Sequence, residues 1–182
     1  MNSKKRILKR LKNCSLDRVD LKDMDFELSS FEDKVGSFKK SLELSGGETI
    51  LTDKNSLKTV LKEYQKGNFL DYTSKNERKF KDPHELKDID TIIVKGRFGV
   101  CENGAVWCDS DEVEFKASFF ICKNLVILLD RKKLLNNMNE AYKELDYESF
   151  GVFISGASKT ADIEQSLVIG AHGAIKSVVV LY

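Results

Sequence analysis

Two short segments of this 182-residue chain concentrate residue types that bind small molecules or act on them. The first follows the apolar run Val152-Phe153-Ile154 and reads Ser155-Gly156-Ala157-Ser158-Lys159-Thr160-Ala161-Asp162-Ile163-Glu164. Gly156 permits a tight turn. Ser158 or Thr160 can cap a following helix, and their hydroxyls and the Lys159 ammonium can meet a phosphate or carboxylate at its N-terminus. Asp162 and Glu164 work against that, since they already complement the helix dipole and repel an anion unless they point away or pair with a cation. An anion site and a simply capped helix both remain open. In the second segment, Gly99-Val100-Cys101-Glu102-Asn103-Gly104-Ala105, glycines on both sides of Glu102 let the backbone approach a ligand. Burial would tune Glu102 as a nucleophile or base. The same residues equally make a hairpin turn with Asn103-Gly104 at its tip and Glu102 in water. His172, between Gly170 and Gly173, either bonds the last carbonyls of a helix or serves as an acid/base. No glycine-rich dinucleotide loop, Walker loop or nucleophile elbow is present.

These loops need elements to hold them. Phe31, Val35, Phe38 and Leu42 recur at helical spacing after Ser29 or Ser30, with Glu32 placed for a capping box and Gly46-Gly47 as the stop. Thr49-Ile50-Leu51 reads as a strand, and Thr52 or Asp53 opens a second helix bearing Leu57, Val60, Leu61 and Tyr64, ended by Gly67. Residues 68–87 form a polar connection with the only proline, Pro83, a surface histidine, His84, and at most a short strand around Phe69-Leu70. Beyond it, Asp90 to Val94, Ala105 to Cys108, Asn124 to Leu129, Gly151 to Ile154 and Ser177 to Leu181 read as buried strands. Leu134, Leu135, Met138, Ala141, Tyr142 and Leu145 mark one intervening helix face, and Ile163, Leu167 and Gly170 another. Strands alternating with helices imply right-handed crossovers and a mostly parallel sheet covered on both faces, an α/β three-layer sandwich.

Composition narrows the class. With 30 Lys and Arg against 29 Asp and Glu the net charge is +1, which argues against a general polyanion binder. Residues 1–90 hold 37 of the 59 charges, and residues 91–182 hold 22 charges and seven of the 11 glycines, so the second half is where buried strands and a site are expected. The first twelve residues carry six cations and no acid, but Ile7, Leu8 and Leu11 sit at helical spacing and no apolar leader follows. A helical arm over 1–28, no membrane span and a cytoplasmic location are the expectations. Cys14, Cys101, Cys108 and Cys122 form no C-x-x-C pair and no cluster with the two histidines, so neither a zinc site nor an iron–sulfur cluster is expected on this chain. Cys101, Cys108 and Cys122 fall in apolar surroundings and read as reduced, buried thiols.

The run Ser155 to Glu164, followed by Gly170-Ala171-His172-Gly173 and an apolar strand, resembles the C-terminal signature of the LUD domain family, of the lactate utilisation protein C type. The upstream Gly99-Val100-Cys101-Glu102-Asn103-Gly104-Ala105 resembles a second motif of that family, and together they cover residues 90–182 in the same order. Ala157 and Ala174 stand where the family has prolines, Lys159 where it has arginine and Asn103 where it has threonine. Lysine keeps the charge but loses the bidentate fork.

The resemblance implies one LUD-like domain over 1–182 with its motif-bearing core at 90–182, and a fold like that of sugar-phosphate isomerases and CoA transferases. It also implies a non-cluster role in oxidising L-lactate to pyruvate, with iron–sulfur clusters on partner proteins. The ligand, a small organic acid or other anion, would contact Gly99, Asn103, Gly104, Ser155, Gly156, Ser158, Lys159, Thr160, Asp162, Glu164 and Gly173, with Glu102 and His172 as catalytic candidates. A shorter likeness, Glu102-Asn103-Gly104 to the Glu-Asn-Gly of class I CoA transferases, implies the alternative of a stand-alone enzyme for a phosphorylated or CoA-linked acid, with Glu102 as its catalytic carboxylate. A purely structural subunit is the third reading.

Overall fold

The computed structural model describes residues 3–12, 28–74, 80–145, 150–160, 168–170 and 172–182. Cys14, Asp162, Ile163, Glu164 and Leu167 lie outside them. Among the described residues there are four α-helices, α1 (Ser3–Lys12), α2 (Lys34–Leu44), α3 (Leu57–Tyr64) and α4 (Met138–Lys143). The strands, in chain order, are β1 (Glu48–Leu51), β2 (Phe69–Asp71), β3 (Thr91–Lys95), β4 (Phe98–Val100), β5 (Ala105–Asp109), β6 (Asn124–Leu129), β7 (Leu134–Leu135), β8 (Gly151–Ile154), β9 (Lys159–Thr160), β10 (Val168–Ile169) and β11 (Lys176–Leu181).

The fold is α/β with a mostly parallel central sheet flanked by helices. Five strands in the order β1-β11-β6-β3-β2 pair in parallel throughout. Their β-branched runs bury both faces, as a sheet covered on two sides requires. One face sets Ile93, Val126, Leu128, Val178 and Val180 against Leu61 of α3. The other sets Val94, Ile127, Leu129 and Val179 against Phe38 and Leu42 of α2 and Val106 and Leu134 of a second sheet. Phe38 and Leu42 are fully buried, and each such side chain contributes about 1.5–3 kcal/mol of apolar transfer.

A second sheet accompanies the mostly parallel one. Ala105 to Cys108 and Gly151 to Ile154 sit in a separate four-stranded sheet ordered β7-β4-β5-β8, where β5 is antiparallel to both neighbours. The turn at 101–104 leaves too few residues between β4 and β5 for a parallel crossover, so they close as a hairpin. The outer face of this sheet stacks Phe98, Trp107 and Phe153, with ring centroids 4.8 Å apart for Trp107 and Phe153, and packs on Ala141 of α4.

Three expectations change. Leu134 and Leu135 do not begin a helix. They pair with Gly99 and Val100 as β7, and α4 starts only after Asn137, whose side chain accepts from Glu140 N. Neither Ser29 nor Ser30 caps α2. Asp33 does, accepting from Gly36 N, while Ser29 O accepts from Asn137 Nδ2 and Phe31 N donates to Asn136 Oδ1 upstream of the helix. Lys159-Thr160 is a strand paired antiparallel with Val168-Ile169, and the residues that a cap at Thr160 would serve lie outside the described ones. Asp53 takes Asn55 N and Ser56 N in the turn ahead of α3, whose N-cap is Ser56 rather than Thr52 or Asp53.

Candidate functional site

The two motif loops meet at the C-terminal end of α2. Gly104 has φ +68° in the hairpin turn, and a Cβ there would stand 2.4 Å from Leu42 N. Gly156 has φ +69°, and a Cβ there would stand 2.1 Å from Ser45 O. Only glycine takes this left-handed backbone at so close an approach. Hydrogen bonds complete the junction. Ser41 Oγ donates to Cys101 O at 2.7 Å, and Ser155 Oγ donates to Asn103 O at 2.8 Å, tying one loop to the other. The Asn103 carboxamide accepts from Ala105 N.

Glu102 is exposed and faces α4. Its Oε2 accepts from Met138 N at 2.9 Å, and its own N–H donates to Asn136 O. A carboxylate at a helix start is stabilised by the free N–H groups there. Lys159 is also exposed. Its Nζ lies over Gly46, 2.6 Å from where a Cβ would be, so its charge complements the carbonyl end of α2.

Ser158 bridges the remaining parts. Its N–H donates to Ala174 O at 2.9 Å and its carbonyl accepts from Gly170 N at 3.0 Å. Beneath this loop is a cavity of about 210 Å³ whose walls include Phe119, Phe120, Ser155, Gly156, Ser158 and His172. Gly173 and Ala174 also face it. The structure therefore gathers Ser155, Gly156, Ser158, His172 and Gly173 at one cavity and leaves Glu102, Asn103, Lys159 and Thr160 off its walls. Gly99 is buried in β4, where a Cβ would meet Leu129 and Leu134. Ser177 Oγ is buried without a partner among the described residues, in β11 beside Leu125, another wall of the cavity.

Sequence reasoning missed the aromatic walls, since Phe119 and Phe153 carry no polar signal, and it missed Ser41 and Asn136. The thiols are as read. Cys101, Cys108 and Cys122 are buried and free, and burial pushes Cys101 and Cys122 up to about 11 and Cys108 higher still. Among the described residues no group of three His, Cys, Asp or Glu is placed to hold a metal, and no helix is long and apolar enough to cross a membrane.

The LUD domain profile matches residues 32–182. Lactate utilization protein C of Bacillus pumilus (strain SAFR-032) is 27% identical over 97 residues, a stretch covering 49% of this chain and 40% of that protein. This chain thus spans less than half of that relative's length. A crystal structure of a DUF162 family protein from Deinococcus radiodurans shares the fold, with a TM-score of 0.61, 9% identity, and coverage of 81% of this chain and 95% of that one.

Proposed function

The chain belongs to the LUD domain family, and we propose that it is a ligand-binding, non-cluster component of lactate utilisation. In this reading it is cytoplasmic and works with iron–sulfur partners that carry the electrons of L-lactate oxidation to pyruvate. Its own task is to hold the small organic acid. The supporting observation is the cavity under the Ser155–Ser158 loop, which carries the family signature and brings His172 and Ser158 to an aromatic wall. At about 210 Å³ it lies below the usual range of roughly 300–1,000 Å³ for drug-sized ligands, a size suited to an acid of a few heavy atoms. The similarity to a protein called lactate utilization protein C supports the choice of acid. Glu102, engaged with α4, favours this reading over a stand-alone enzyme with a glutamate nucleophile.

Saturation-transfer NMR with L-lactate and pyruvate tests it. The wild-type chain should transfer magnetisation to one of the two, and Ser158→Ala with His172→Ala should weaken binding roughly tenfold, the worth of a hydrogen bond to a charged group. No transfer to either acid from the wild-type chain would remove the ligand-holding role.

A further inference from the structure

The carboxyl edge of the parallel sheet lies at the opposite end of the strands from the signature loops, the length of β6 away, roughly 17 Å at 3.3 Å per residue. Two cavities adjoin there. One, of about 620 Å³, opens between α3 and the sheet, with Leu57, Leu61, Leu128 and the Tyr182 ring forming its apolar side and Lys58 and Lys62 among its cations. The other, of about 370 Å³, shares Lys95 and Tyr182 with the first and reaches Arg97 and Lys133.

The charges in this groove are not balanced pair by pair. Glu112 faces Lys95 at 3.7 Å and Asp109 faces Arg97 at 3.5 Å. Asp71 is buried, its oxygens accepting from Gln65 Nε2, Thr73 N and Thr73 Oγ1. Asp130 accepts from Lys132 N. Glu112 and Asp109 are thus paired with cations and Asp71 and Asp130 are held by neutral donors, while Lys58, Lys62 and Lys133 have no carboxylate within 4.0 Å among the described residues. In the larger cavity two unpaired cations, Lys58 and Lys62, flank the apolar floor against the one buried carboxylate of Asp71, which disfavours a cationic ligand and leaves the floor wet under a purely polar one. Open α/β sheets bind ligands outside the carboxyl ends of their strands, where this groove lies.

We propose that the groove is a second binding site, for an organic anion in which a carboxylate or phosphate is attached to an apolar body. The anionic group meets Lys58 and Lys62, and the body lies on Leu57, Leu61 and Tyr182. The site does not depend on the lactate reading, because it shares no residue with the loop cavity.

The probe is 8-anilinonaphthalene-1-sulfonate, an aromatic anion whose fluorescence rises in apolar surroundings, titrated into the full chain at low salt. Saturable enhancement is expected, displaced by octanoate if the site prefers carboxylates or by inorganic phosphate if it prefers phosphates. Lys58→Glu with Lys62→Glu should weaken the dye roughly tenfold, and Lys58→Gln with Lys62→Gln by less. Both lysines are exposed, so coincident thermal unfolding curves should show the variants folded. Equal dye binding by wild type and the Glu variant overturns the site. So does displacement by neither competitor, or loss of the signal only in Ser158→Ala with His172→Ala.

Discussion

Glu102 fastens its loop to α4 through its carboxylate to Met138 N, and to the link ahead of α4 through its own N–H to Asn136 O. Replacing the carboxylate by an amide keeps an acceptor oxygen at the same place. If the proposed lactate role holds, Glu102→Gln should therefore support lactate oxidation by the reconstituted iron–sulfur system within about twofold of wild type, whereas loss of a catalytic carboxylate would cost orders of magnitude. Glu102→Ala removes the acceptor and should cost about 1 kcal/mol of stability in urea unfolding, as loss of a helix cap does. The residue types at this site were legible in the sequence and the partners were not. Glu102, Lys159 and His172 stand out by chemistry, yet Lys159 ends over Gly46 and Glu102 against a segment 36 residues away. Spacing within a loop carries no information about contacts made by helices outside it.

At the scale of elements, legibility followed length and period. The apolar runs of β3, β6 and β11 and the helical repeats of α2 and α3 are long enough to specify one structure. Leu134-Leu135 is not, since two apolar residues fit a helix face or a two-residue strand, and pairing with β4 decides between them. The short α4 that follows depends on its start. Glu140 accepts from Asn136 N at 2.7 Å and Asn136 Nδ2 at 2.8 Å, and these bonds hold its carboxyl below the ordinary value. A depressed folded value means the stabilisation is present above the unfolded value of about 4.3 and is lost as the pH falls through the folded one. Glu140→Gln should thus lose up to about 1 kcal/mol at pH 7, less where solvent screens the contact. The gap to wild type should close on acidification below about pH 4.3. Denaturant titrations at several pH values check this, and a gap that stays constant with pH would mean that packing, not the charge, carries the effect.

Across the whole molecule the parallel sheet separates two regions of different character. Its amino edge gathers the signature loops, and its carboxyl edge carries the basic groove. The sequence pointed only to the first, because the groove's lysines come from α3, β3 and the turn after β6, three segments that look like solvated surface when read singly. What holds the amino edge together is one turn of helix. Gly104 presses on Leu42 and Gly156 on Ser45, three residues apart at the end of α2, so both loops are seated on the same piece of backbone. An added Cβ at either glycine requires a left-handed conformation and displaces that turn, and each of Gly104→Ala and Gly156→Ala should cost about 2–3 kcal/mol. Once α2 has shifted for the first, part of the displacement needed by the second is already made. The double variant should therefore lose about 1 kcal/mol less than the sum of the single losses, measured by a double-mutant cycle in urea. Strict additivity would show that the two loops rest on α2 independently, and the cavity between Ser158 and His172 would then have to be shaped by each loop alone.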